Sequence, residues 1–205
     1  MERTIYDAEH KLFAETARAF IEREIEPRHD DWDRAGIVDK EMFRKAGAQG
    51  LLGMALSEEF GGGGVDDFRY NAVIGEAVAS TVAASSGLCI TLHNDVCLPY
   101  FAAVSNAEQR VRWFPGFVSG DLMTAIAMTE PGTGSDLAGV RTAAVRDGDD
   151  YVVNGAKTFI TNGINADLVI VVVRTGDDPH GGLSLLAVAD GTEGFTRGRN
   201  LENLR

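Results

Sequence analysis

Near residue 120 the spacing of apolar residues changes from one rule to another, and this single switch constrains the fold more than any other feature of the chain. Before it, apolar residues recur three and four apart, the period that gathers side chains on one face of a helix. After it come short β-branched runs separated by turn dipeptides, the pattern of strands. A chain that changes period once and does not change back is expected to build a helical part followed by a sheet part.

In the helical part Asp7 is placed as an N-cap, and Phe13, Ala17, Phe20, Ile21 and Ile25 share a face behind it. Pro27 is expected to end that helix. Met42, Phe43 and Ala46 mark a second helix, closed by Gly50. The run Gly61-Gly62-Gly63-Gly64 interrupts, and from Asp67 to about His93 the small residues Ala72, Ala77, Ala83 and Ala84 suit close helix packing. Ser105-Asn106-Ala107-Glu108 reads as a capping box opening another helix, which Pro115 is expected to stop.

In the sheet part Met123–Met128 opens the series, and Asp147-Gly148 and Asn154-Gly155 are hairpin-type turns. Strands are expected over Val140–Arg146, Tyr151–Val153, Lys157–Thr161, Leu168–Arg174 and Leu183–Ala189. No helix-length segment interrupts them, which predicts a mainly antiparallel barrel or sandwich. The fold class is therefore α+β: an all-α bundle over residues 1–120, then a β domain over 121–205.

Composition narrows the function. At 205 residues and 44% hydrophobic, the chain is long enough for real cores. With 31 acidic against 19 basic residues, a net charge of −12 disfavours nucleic acid and anionic membranes as partners. The longest apolar run, Leu168 to Val173, is far too short to span a bilayer, and the first residues carry neither an apolar signal core nor an Arg-rich transit pattern. Cys89 and Cys97 have no metal-type spacing and read as buried thiols of a reducing compartment, so a soluble cytoplasmic protein without a metal site is expected.

Two segments carry chemistry. Met128-Thr129-Glu130-Pro131-Gly132-Thr133-Gly134-Ser135-Asp136 follows a strand and packs glycines and hydroxyls into one turn, where backbone amides and Thr129, Thr133 and Ser135 can meet an oxygen-rich or heteroaromatic ligand. Nothing in it matches a Walker or dinucleotide fingerprint, and an ordinary β-turn remains an open reading. Phe159-Ile160-Thr161-Asn162-Gly163 is read as a strand end with Phe159 and Thr161 on one face, suited to a flat ring over Phe159 with Thr161 at its edge, or to a plain core phenylalanine beside a turn. His93, next to Asn94 and Asp95, is a tempting general base, but no nucleophile is spaced to partner it, and packing or capping is the preferred reading.

The stretch Ala127-Met128-Thr129-Glu130-Pro131-Gly132-Thr133-Gly134-Ser135-Asp136-Leu137-Ala138-Gly139-Val140 closely resembles the acyl-CoA dehydrogenase signature, and Tyr151-Val152-Val153-Asn154-Gly155-Ala156-Lys157-Thr158-Phe159-Ile160-Thr161-Asn162-Gly163 matches the family's second block in order and spacing. The resemblance extends over essentially the whole chain and is nearest to long-chain-type members. It implies a flavoprotein oxidoreductase of fatty acid metabolism. FAD would be held by Ile126, Ala127, Met128, Thr129, Gly134 and Ser135 from the first block and by Phe159, Ile160 and Thr161 from the second, with Ser135 also touching the acyl-CoA. Phe159 stands where many members have tryptophan, which keeps stacking and removes an indole donor.

By the same resemblance, FAD takes hydride from the β-carbon of an acyl-CoA thioester while a carboxylate removes the α-proton, and hydrogen bonds to the thioester carbonyl stabilise the developing enolate. Electron-transfer flavoprotein is the implied acceptor and a homotetramer the implied assembly. The family's glutamate base belongs to a C-terminal four-helix domain, whereas this sequence closes at Asn203-Leu204-Arg205, so no residue here is assigned as catalytic and the 205-residue chain alone is expected to be inactive. Rival readings are a flavin oxidase or monooxygenase on the same scaffold, and a non-catalytic binding or assembly subunit.

Overall fold

The structure, a computed structural model, describes residues 4–200; the closing Asn203-Leu204-Arg205 lies outside the described residues. The chain clusters into two units, Met1–Met123 and Thr124–Arg205.

The first unit is helical. Helix α1, Ala8–Phe20, starts where Asp7 Oδ1 accepts the amides of Glu9 and His10 at 3.1 and 3.3 Å, satisfying donors that the first turn leaves open. Pro27 does not stop the helical path. The chain widens to a π turn at Ile21–Ile25, tightens to a 3-10 turn at Glu26–Arg28 and continues as α2, His29–Ala35, because proline at the start of a fresh turn lacks an N–H that has no intrahelical partner there. Helix α3, Lys40–Ala48, buries Met42, Phe43 and Ala46 and is followed by Gly50 at φ +74°.

The alanine-rich run divides into α4, Arg69–Ala79, and α5, Ala84–Thr91. The break has a local cause: Ser80 Oγ donates to Ala77 O at 2.8 Å and Thr81 Oγ1 accepts from Ala83 N at 3.2 Å, so side chains take backbone groups that a continuing helix would use. A π segment, Leu92–Cys97, leads into α6, Leu98–Val104. In α7, Ala107–Ser119, the capping box is centred one residue later than expected, on Asn106 and Gln109, each side chain accepting the other's amide at 2.9 Å. Pro115 lies inside α7 on its exposed side, where a carbonyl that loses its helical donor is open to solvent, and the helix runs on to Gly120 at φ +78°. A methyl group at Gly120 would run into the Phe43 carbonyl. The core joins Phe20, Ile25, Met42, Phe43, Leu52, Ile74 and Ile90. Among the described residues no helix is long and apolar enough to cross a membrane.

The second unit is one mixed sheet with two antiparallel and two parallel strand pairs, the antiparallel ones being the longer. Its strands are β1 Thr124–Ala127, β2 Ala143–Asp147, β3 Asp150–Asn154, β4 Leu168–Arg174 and β5 Leu183–Ala189. Strand β4 is the axis: β1 runs parallel to its first half and β2 meets Arg174 at its end, while β5 pairs antiparallel along its whole length. Burial on both faces explains why β4 is an unbroken apolar run rather than an alternating one. The hairpin β2–β3 is exposed on both faces beyond Ala144. Residues 157–161, expected as a strand, form none.

Candidate functional site

The two chemistry-bearing segments converge within the sheet unit. Where β1 ends, Thr129 O accepts the Thr158 amide at 2.9 Å, and Lys157 Nζ reaches Met128 O at 3.0 Å and Glu130 Oε1 at 2.9 Å. Beyond this crossing the first segment turns on itself, Glu130 and Thr133 exchanging backbone hydrogen bonds of 2.9 and 3.1 Å. Asp136 caps the short turn Leu137–Gly139, and Arg174 secures its exit through bonds of 2.9 Å to the carbonyls of Val140 and Ala138.

Glu130 is the electrostatic centre of the crossing. Its carboxylate is only 7% exposed and accepts the amides of Arg141 and Thr142, each at 2.8 Å, besides the Lys157 ammonium. Burial pushes its pKa up, but the surrounding donors of Thr142, Lys157 and Arg141 outweigh that and hold it lowered, at about 2. It is therefore a fixed anion.

The six first-block residues of the sequence-derived site fall into two groups. Ile126 and Ala127 lie in β1, and Met128 and Thr129 at its end meet the second segment directly. Gly134 and Ser135 sit on the exposed rim of the first turn, with no hydrogen bond to the second segment among the described residues. Neither Gly132 nor Gly134 has a positive φ, and a side chain at either would meet open space, so the chain's own packing does not require glycine there.

Phe159 and Thr161 are not the same-face pair of a strand. Phe159 takes φ +57° and is 71% exposed, Thr161 is also exposed, and Ile160 between them packs on the sheet's core. A bulky residue in the left-handed region is an outlier that persists only when its surroundings enforce it. Asn162, at φ +63°, anchors the far side by donating from Nδ2 to Thr124 O at 3.1 Å. Among the described residues no group of three His, Cys, Asp or Glu could hold a metal.

His93 belongs to the helical unit's core. Fully buried, it stacks on Phe117 at 3.6 Å and donates from Nε2 to Phe117 O at 3.1 Å, while burial pushes its pKa down to about 3. It is neutral and out of reach of any substrate. Asn94 beside it joins Gly53 N and Leu51 O at 3.0 and 2.8 Å.

Glu130 and Lys157 escaped assignment from the sequence, although Lys157 is the one charge in its block and Glu130 shares its own, otherwise small, apolar and hydroxyl, with Asp136 alone. That isolation was the available signal: a charge so placed needs a partner, and the partner lay in the other block.

Comparison with known proteins places these features in context. Residues 7–121 match the family model for the acyl-CoA dehydrogenase N-terminal domain, and residues 125–204 match that for the middle domain. The long-chain specific acyl-CoA dehydrogenase of Mus musculus mitochondria is 44% identical over 98% of this chain and 47% of its own length. The crystal structure of an acyl-CoA dehydrogenase from Geobacillus kaustophilus superposes with a TM-score of 0.92 at 46% identity, covering 98% of this chain and 53% of that one. An acyl-CoA dehydrogenase from Bacillus anthracis, solved as a complex with FAD, matches with a TM-score of 0.85 at 29% identity over 97% of this chain and 34% of its own. The chain spans about half the length of the curated relatives it matches.

Proposed function

The chain belongs to the acyl-CoA dehydrogenase family, and from that premise we propose that it supplies the flavin-facing part of an FAD-dependent enzyme that desaturates an acyl-CoA thioester between its α- and β-carbons. The domain division at about residue 120 is part of this reading. The observation that carries it is the crossing of the two segments, where Lys157 and Thr158 bond to Met128, Thr129 and Glu130.

The residues fit a flat, hydrogen-bonding cofactor. Phe159 offers an exposed aromatic face, Thr161 a hydroxyl two residues on, Ser135 another on the rim of the first turn, and Gly134 an approach with no side chain in the way. Ile126, Ala127, Met128, Thr129 and Ile160 complete the set assigned to the cofactor, Ala127 and Ile160 from the sheet's core beneath it, and Ser135 is assigned to the thioester ligand as well. When bound, FAD supplies the two-electron acceptor. The protein's part is to orient the ring, to keep water from it and to present the donors at fixed positions.

Glu130 is a poor base, since three donors occupy its oxygens and hold its pKa at about 2, where a carboxylate has little affinity for a proton. The proton-abstracting group is accordingly placed outside these residues, and the 205-residue chain alone is proposed to bind without turning over. An acyl-CoA of long-chain type as substrate, electron-transfer flavoprotein as acceptor and a homotetrameric assembly follow the same reading. A cytoplasmic, reducing location belongs to the same reading, in which Cys89 and Cys97, both buried, remain thiols.

The test combines intact mass with the visible spectrum of the purified protein. A flavin band, bleached by acyl-CoA only in protein carrying the residues beyond this chain, supports the proposal. A colourless protein that binds acyl-CoA overturns it in favour of a binding subunit, and peroxide formation on reoxidation identifies an oxidase.

A further inference from the structure

From Gly155 to Asp167 the chain has no strand pairing, so something other than a ladder must fix Phe159, Ile160 and Thr161. Two sets of contacts do. Upstream stand Lys157 Nζ on Met128 O and Glu130 Oε1 and the Thr158 amide on Thr129 O. Downstream stand Asn162 Nδ2 on Thr124 O at 3.1 Å and Arg197 Nε on Gly163 O at 3.0 Å. Phe159 lies between them in a left-handed conformation that a free chain would abandon.

The ion pair differs from the pairs on the surface of the same unit. Arg197 meets Asp190 at 2.7 Å with the carboxylate 58% exposed, a geometry that water screens. Lys157 and Glu130 are 10% and 7% exposed, and both amides of Arg141 and Thr142 also point at the carboxylate. A buried pair of this kind adds little net stability over an apolar pair of the same size, but it fixes direction, because each charge must find its partners in one arrangement. Here that arrangement ties together residues 128–130, 141–142 and 157–158. With Lys157 held at Nζ and Thr158 held at its amide, the backbone leaves the anchor heading toward solvent, and Phe159 must turn left-handed to let Ile160 return to the core.

We propose that the Glu130–Lys157 pair is a positioning latch: it holds Phe159 in its left-handed, solvent-facing conformation and so sets the face that a flat cofactor ring meets. The proposal rests on the FAD reading above. Neither residue touches the reacting atoms, and both act through Phe159 and Thr161.

The experiment compares the FAD-loaded full protein with Lys157→Met, Glu130→Gln and Lys157→Arg, and with Arg146→Gln on the exposed β2–β3 hairpin as the control. Three readouts are taken: the FAD dissociation constant, the positions of the flavin absorption bands, and amide exchange at Thr158 and Phe159. Lys157→Met is expected to raise the dissociation constant about tenfold or more, as loss of one charge-assisted bond would. It should also shift the flavin bands and speed exchange at Thr158 about tenfold or more while β4 amides keep their rates. Glu130→Gln should fall between, Lys157→Arg should recover most of the affinity, and Arg146→Gln should change nothing. Wild-type protein that binds FAD, with Lys157→Met matching it within about twofold in affinity and in band position, overturns the latch and leaves the FAD reading standing. Wild-type protein that binds no FAD overturns that reading instead, and unchanged Thr158 exchange in Lys157→Met then overturns the latch as well. Should Lys157→Met fail to fold, Glu130→Gln and Lys157→Arg decide by the same measures: wild-type-like values in Glu130→Gln overturn the proposal.

Discussion

In the helical unit His93 and Asn94 lie inside the core and bond to the backbone of Phe117, Gly53 and Leu51, drawing distant turns inward around themselves. In the sheet unit Glu130 and Lys157 are nearly as deeply buried and also bond to distant backbone groups, yet the segment they hold ends in an exposed phenylalanine. The physical device is the same in both units: a buried polar side chain is costly unless satisfied, so it fixes whatever satisfies it. What differs is the direction of the fixed segment. One arrangement closes a core, and the other displays a surface, which is why the site candidates gather in the second unit and the stability candidates in the first.

The largest effect that could break this comparison comes from Phe43→Ala. Phe43 is fully buried and meets the edge of His93 at 5.4 Å, so its truncation should destabilise the helical unit by about 3–5 kcal/mol. Both tryptophans, Trp32 and Trp113, lie in the helical unit, so denaturation followed by their fluorescence reads that unit alone. Amide exchange along β4 reads the other and should keep its protection. Equal loss in β4 would mean that the two units share their stability and that the contrast drawn here is one of geometry only.

Acid should then separate the two units by window. His93 has its pKa lowered by burial from 6.5 to about 3, so its contribution is complete above pH 6.5 and is lost as pH falls toward 3. The loss is on the order of 4 kcal/mol at the bottom of that window. Glu130, lowered from 4.5 to about 2, keeps its contribution down to about pH 4.5 and loses on the order of 3 kcal/mol as pH falls toward 2. Tryptophan-detected stability should therefore begin to decline first, and protection of the Thr158 amide only about two pH units lower. A His93→Gln variant should be weaker at neutral pH yet lack the slope between pH 6.5 and 4.5, above the range in which Glu24, Asp7 and Asp67 of the same unit, all lowered by their donors, begin to contribute; a slope that survives there would assign it to another group.

How much of this was legible follows from where each signal lives. Strands β4 and β5 have the bounds their residues suggest, because a β-branched run bracketed by turns is a local statement. The same holds for α1, whose cap at Asp7 is written within three residues of its start. Lys157–Thr161 misled because its β-branched and aromatic residues, Thr158 to Thr161, imitate a strand, while the contact that ties it elsewhere joins residues 27 apart. Nor does any local preference forecast a phenylalanine at positive φ, since preferences record what a residue does when nothing forces it. In the helical unit Pro27 and Pro115 lie in helical paths for reasons of turn geometry and exposure that residue identity does not carry. The two candidate segments could thus be picked out from the sequence, whereas the contacts that join them could not.

Capping gives a smaller test of the same contrast. Asp7→Ala removes the acceptor for two amides of α1 and the 2.7 Å partner of His10 Nδ1, and should cost about 1 kcal/mol in tryptophan-detected stability. Asp136→Ala removes a similar cap from a turn of only three residues on the exposed loop, and should cost no more than about 0.5 kcal/mol. A larger cost at Asp136 would show that the displayed turn is as tightly built as the core helix.

The smallest effect is the sharpest on one point. Val152 lies in β3, whose five residues are all exposed, and among the described residues it pairs only with Val145 of β2. Val152→Thr keeps the branched β-carbon that the strand prefers and exchanges a methyl for a hydroxyl, so a face open to water should register less than about 0.5 kcal/mol. Burying that hydroxyl without a partner would instead cost about 1–3 kcal/mol, in proportion to how completely the face is covered. Thermal unfolding of the variant across a range of protein concentrations therefore measures the cover directly: no change confirms an open hairpin, and a loss that grows on dilution reveals that the hairpin's apolar face is closed by another chain.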